Sequence, residues 1–144
     1  MTRILKTTAL SLMVMTGAAA QSFAGGNSVV IEQWGADNGA GGAQSGHSNR
    51  LSVFQDGWGN TSVSTQDGAG NRTVVGQSGH RNNASTQQDG RCNVSGVAQF
   101  GGHHQADTRQ RGNCNAVGVI QSGHGNSATS RQHGDGNVAV IVQD

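Results

Sequence analysis

The sequence has no proline and no tyrosine, and only two Trp and three Phe in 144 residues. With 33% hydrophobic residues in all, there is little from which to build a thick apolar core. Charge of one sign is missing too. The formal net charge is +1, and Arg3 and Lys6 fall near the N-terminus, so the rest of the chain is close to neutral. No clustered Lys/Arg patch of the kind that nucleic-acid binding uses is present, and no acidic tail. Near-neutrality instead weakens self-repulsion and favours association. Cysteine is limited to two residues. Past the first two dozen residues no run is apolar enough to span a bilayer.

The N-terminus reads as a secretory signal peptide over residues 1–24. Arg3 and Lys6 make a positive start and Ala9 to Ala20 a short apolar stretch. Small residues follow, with cleavage expected near 20–24. The mature chain, residues 25–144, is then exported, and a single β-domain is expected there.

What fills that domain is glycine, 24 in all, set in a strict period. Gln stands at Gln33, Gln44, Gln55, Gln66, Gln77, Gln88, Gln99, Gln110, Gln121, Gln132 and Gln143, every step being 11 residues. Gly follows two positions after each Gln from Gly35 to Gly134. Asn follows five positions after, at Asn38, Asn49, Asn60, Asn71, Asn82, Asn93, Asn115, Asn126 and Asn137, and Asn27 opens the series. His104 is the one exception. The Gln-x-Gly-x-x-Asn part has turn chemistry, because Gly accepts and Asn tolerates positive φ. The seven residues from Asn to the next Gln are rich in Val, Thr, Ser, Ala and Ile and have strand length. About eleven short strands are predicted between 27 and 143.

Asn and the following Gln are six apart, so they share one face of a strand with the two residues midway between them. Those inner pairs alternate in size. Val29/Ile31, Leu51/Val53, Thr73/Val75, Ser95/Val97, Val117/Val119 and Ala139/Ile141 are large; Ala40/Gly42, Ser62/Ser64, Ala84/Thr86, Ala106/Thr108 and Ala128/Ser130 are small. No charge falls among them. Glu32, Arg50, Arg72, Asp107, Arg109 and Arg131 take the opposite face. The true repeat is therefore 22 residues, one large and one small strand facing each other across a thin core. The predicted fold is all-β: a flattened, amyloid-like cross-β solenoid with two strands per coil. Inward Gln and Asn, costly if unpaired, gain partners when layers repeat every ~4.8 Å and their amides form ladders. These residues are read as scaffold.

Monomeric solenoids shield their end strands with polar caps, proline or a helix. None is evident here, and the segment from Asn137 to Gln143 is among the most apolar. Head-to-tail stacking into a filament is the expected consequence.

The paired Gln-x-Gly-x-x-Asn units from Asn27 to Gln143 resemble the curlin repeat of bacterial curli subunits. The resemblance implies an extracellular, cell-surface functional amyloid for adhesion and biofilm matrix. It also implies export through an outer-membrane secretion pore and growth from a minor nucleator subunit. Ending just after a strand-final Gln without a basic extension, the chain is more similar to a major subunit than to the nucleator. The nucleator role stays as an alternative, as does a monomeric secreted solenoid that binds a surface or polysaccharide.

No Ser/His/Asp or paired-carboxylate set stands out and no insertion breaks the period. No catalytic residue, metal ligand or cofactor is therefore expected. Cys92 and Cys114 are 22 apart, in equivalent turns of adjacent coils. A layer spacing of ~4.8 Å fits the Cα window of a disulfide, which leaves a cystine and free or intermolecular thiols as the readings. His47, His80 and His124 share one turn position, but His80 and His124 are separated by Gly102, and His103 is one place displaced. They are read as solvated turn residues, since a metal column would need filled layers. Asp56, Asp67 and Asp89 read as solubilising gatekeepers. Trp34, Trp58, Phe54 and Phe100 are expected in turns or on the outer face.

Overall fold

The computed structural model describes residues 25–144; the expected signal peptide lies outside the described residues. Eleven strands follow one another: β1 (Ser28–Ala36), β2 (Gly39–His47), β3 (Arg50–Trp58), β4 (Thr61–Ala69), β5 (Arg72–His80), β6 (Asn83–Arg91), β7 (Val94–Gly102), β8 (Gln105–Asn113), β9 (Ala116–His124), β10 (Ser127–His133) and β11 (Val138–Gln143). Odd strands form one parallel sheet in the order β1-β3-β5-β7-β9-β11, and even strands form a second, β10-β8-β6-β4-β2. Every pairing joins residues 22 apart, such as Gln55 with Gln77 and Gln66 with Gln88. This is the expected β-solenoid with one large and one small strand per coil.

Between the sheets lies a narrow core of Leu51, Val53, Val75, Ala84, Val97, Ala106, Val117, Val119 and Ala128. Only Leu, Val and Ala are fully buried among apolar residues, so close approach of the sheets does what bulk does in a globule. The size alternation is functional in packing. A Cβ on Gly42 would overlap Leu51 Cδ2, so the largest core side chain fills the space that a glycine leaves. Among the described residues, buried polar groups outnumber apolar ones, and no Lys, Arg, Asp or Glu is among them.

Three details depart from the sequence reading. Most strands run nine residues, continuing past Gln through the repeat Gly, so only two residues link one strand to the next. The second positive φ of each bend belongs to the residue before Asn, not to Asn itself: Asp37, Ser48, Arg81, Cys92, His103 and Cys114 take φ between 49° and 60°. Asn stays free of that role because its amide is committed to the layers above and below. Finally, the outer face of the odd sheet carries, beside Glu32, Arg50 and Arg72, an exposed apolar set of Val30, Phe54, Val74, Val94 and Ile120.

The repeat Gly has two reasons to be glycine. Its φ is strongly positive, 121° at Gly57, which other residues rarely adopt. Its Cα also faces the next coil, where a Cβ on Gly57 would overlap the carbonyl oxygen of Gly79.

Among buried side chains of the described residues, Ser62 Oγ alone lacks a hydrogen-bond partner. Its neighbours in register are Ala40 and Ala84. Replacing Ser62 by Ala removes an unpaired hydroxyl from an otherwise apolar column and should stabilise the chain by about 1 kcal/mol. Denaturant unfolding of freshly purified chains tests this, and a lower midpoint for Ser62→Ala would contradict it.

Candidate functional site

The repeat amides connect every layer. Gln Nε2 donates to the Oε1 of the Gln one coil on, at 2.6–2.9 Å, from Gln33 through Gln143 in one sheet and from Gln44 through Gln132 in the other. The second Nε2 hydrogen goes to the backbone carbonyl that opens the preceding opposite strand, as from Gln55 to Gly39 and from Gln88 to Arg72. Each Gln thus ties one coil to the next and one sheet to the other.

Asn acts at the bend, where backbone groups leave the ladder. Asn27, Asn38, Asn49, Asn60, Asn71, Asn93 and Asn115 each accept, on Oδ1, the backbone N–H of the repeat Asn one coil on, at 2.9–3.1 Å. Their Nδ2 atoms donate to the carbonyl of the repeat Gly in that coil. Asn82 does the same toward His104 and Gly101. Asn126 and Asn137 donate instead to carbonyls four residues back. These bonds satisfy groups that burial would otherwise penalise.

His104 takes the Asn place by imitation. Its Nδ1 accepts the N–H of Asn126 at 3.2 Å, as an Asn Oδ1 would, and its Nε2–H donates to the Phe100 carbonyl at 3.1 Å. The two partners fix the tautomer.

At the even-strand bends, Cys92 and Cys114 lie one coil apart with Cα atoms 4.6 Å apart, joined as a cystine. At the odd-strand bends the histidines meet. Trp58, His80, Gly102 and His124 are successive residues in register at the ends of β3, β5, β7 and β9. The sequence reading treated Gly102 as a break in this column. The structure turns His103 back beside it, with ring centroids 5.1 Å from His80 and 4.7 Å from His124. Partial desolvation by its neighbours and repulsion from His124, His80, Arg81 and His104 lower the pKa of His103 below the usual histidine value. Folded His103 therefore binds fewer protons than it does in the unfolded chain, so through this residue stability falls as pH drops through the histidine range. His47 lies at an even-strand end in register with Ala69. His133 is likewise at an even-strand end, beside Arg111. Both are away from the cluster. The signal for it was Gly102 itself, a missing side chain between two histidines. Asp89 pairs with Arg111 across an exposed layer, a weak surface contact.

Among the described residues, the fold and its ladders define a repetitive scaffold without an inserted loop. Residues 46–79 match the family model described as the curlin associated repeat. The same Gln-Gly-Asn spacing continues on both sides of that segment. The chain is thus similar to the curlin-repeat family, whose repeat on this fold suggests a curli-like structural subunit. No curated protein matches the chain.

Two predictions follow from these bends. His104→Ala leaves the half-buried Asn126 N–H without its acceptor and should cost about 1 kcal/mol, whereas His104→Asn restores the repeat and should be close to neutral. Equal unfolding midpoints for the two variants would exclude the imitation. Reducing the cystine opens a loop of about 22 residues and should cost about 3 kcal/mol. Thiol titration of the exported chain, before and after reduction, should find no free thiol and then two. Two titratable thiols before reduction would rule out the intramolecular bond.

Proposed function

We propose that the chain is the polymerising subunit of an extracellular, curli-like amyloid fibre for surface adhesion and biofilm matrix, growing by head-to-tail stacking of solenoids. The observation that carries this reading is the polarity of the glutamine ladders. At one end Gln132 and Gln143 accept from the layer below and donate to backbone carbonyls. Each has an amide hydrogen left for a further layer. At the other end Gln33 and Gln44 donate upward, and their Oε1 atoms accept from no other described residue. One end offers donors where the other offers acceptors, which is what an open, non-closing interface needs.

Burial favours the same reading. Val29 and Ile31 in β1 are 48% and 40% exposed, while the equivalent Leu51 and Val53 are 0% and 1% exposed. A second copy stacked on the end coil would cover the former as β1 and β5 cover the latter. Export by the N-terminal leader belongs to the proposal through the charge and apolar pattern of residues 1–24, and a secretion pore and a nucleator subunit through the family likeness.

Incubation of the mature chain at neutral pH should give fibres with a meridional reflection near ~4.8 Å. A folded monomer that stays soluble for days would overturn polymerisation. The free edge can be tested separately. Ala116 N–H donates to the Asn137 carbonyl, so the alternation of a parallel ladder turns the Val140 N–H toward the open side of β11. Val140→Pro removes that donor and should slow elongation from preformed seeds severalfold. Elongation at the wild-type rate would show that this edge does not receive the next copy.

A further inference from the structure

The histidine cluster at the odd-strand bends has no part in the ladders, and it offers a chemistry that polymerisation does not use. We propose that His80, His103 and His124 bind one divalent transition-metal ion of the imidazole-preferring class, Cu2+ most tightly, with an open coordination position toward solvent.

One ligand nitrogen from each of the three rings lies within 4.8 Å of the other two. Metal–nitrogen bonds of ~2.0–2.1 Å would draw them to roughly 3.4 Å. His103 and His124 are exposed and His80 is half-buried, so turning the rings about their side-chain bonds achieves this without moving the backbone. Three imidazoles with one open position is a recurrent arrangement for zinc. Imidazole also suits copper and nickel, with Cu2+ strongest in the usual order of divalent affinities.

The second observation is the space between the rings. Gly102 lies in register between His80 and His124, and a Cβ there would stand 2.5 Å from His80 Nε2 and 3.1 Å from His124 Nδ1. That absent side chain leaves room for the ring nitrogens to converge. His103 enters from the side because it occupies the positive-φ place of the bend, at 60°, which is uncommon for a residue other than glycine. Trp58 stacks on His80 with ring centroids 5.2 Å apart and planes 12° apart, which holds that ring's orientation. Arg81 is directed over the Trp58 face, 4.9 Å from its centroid.

All three ligands come from one chain, so the site does not depend on fibre formation. Trp58 makes a built-in reporter, because Cu2+ bound at His80 would quench its fluorescence. In a Trp34→Phe background, folded chain titrated with Cu2+ should lose Trp58 emission with saturation at one equivalent. Zn2+ should compete in calorimetry, and the Cu2+ spin-resonance spectrum should show coupling to several nitrogens. His103→Ala and His80→Ala should each weaken binding at least ten-fold, while His47→Ala at the opposite edge should bind as wild type. Gly102→Ala, whose backbone tolerates the change, should keep the fold by circular dichroism yet bind severalfold more weakly. Undiminished affinity in His103→Ala, or an equal loss in His47→Ala, would overturn the site. Wild-type affinity in Gly102→Ala would overturn the role given to the gap.

Discussion

Everything in this molecule depends on the translation of one coil onto the next. A buried primary amide has two donors and an acceptor to satisfy, and a thin core has no water to satisfy them. Stacking at ~4.8 Å brings each Gln to its own copy, and the remaining hydrogen finds the opposite sheet. The ladder then dictates its surroundings. Inner positions must be small or apolar, so that the sheets come close enough for Gln88 Nε2 to reach the Arg72 carbonyl. Register is pinned as well, because a slip of one residue would turn every Gln outward. Hydroxyls join where they can: Thr73 Oγ1 accepts from Gln66 and donates to Gln88.

Much of this was legible in the sequence because translation leaves a period. The step of 11 gave the strands, and the alternation of Leu51/Val53 with Ala40/Gly42 gave two sheets and a 22-residue coil. What periodicity does not carry is the shape of the bend. Gly in the motif suggested a turn, yet Gly57 lies inside β3, and the reversal falls on Gly59 and Asn60. The sequence places residues on a line, whereas the bend folds that line across itself. His103 therefore reads as out of column with His80 and His124, although the chain's reversal sets its ring between theirs. The exposed apolar set on the outer face of the odd sheet was hidden for a different reason. Its members, Val30, Val74 and Phe54 among them, are diluted by Gly76, Gly96 and Gly118 at the same positions in other coils.

The thin core also explains why single coils cannot stand alone. Apolar burial in one layer is completed only by layers on both sides, as the contrast between Val29 and Leu51 shows. Stability therefore grows with the stack and fades at its ends, the behaviour of a one-dimensional array. An end layer keeps amides and aliphatic side chains partly satisfied, and a second copy stacked in register would supply the missing partners with no change of conformation. The proposed stacking of copies would then draw on the same force that folds one chain and would need no separate interface.

The same logic locates where anything else could be written into such a chain. Gln, repeat Gly and Asn are fixed by the ladders, and inner positions by the narrow gap. The two places between repeat Gly and Asn answer to neither constraint. At the odd-strand edge they hold Trp58, His80, Gly102 and His124 in one column with Arg81 and His103 at the positive-φ place beside it, and at the even-strand edge Cys92 and Cys114 take that place. Both the cystine and the histidine cluster are built there, on opposite edges of the solenoid. Residues 22 apart in sequence are neighbours in space at these positions, so a pair or triad needs no new fold, only the right side chains one coil apart. A stack that is repetitive for mechanical reasons thereby has two edges on which chemistry can vary while the ladder between them stays the same.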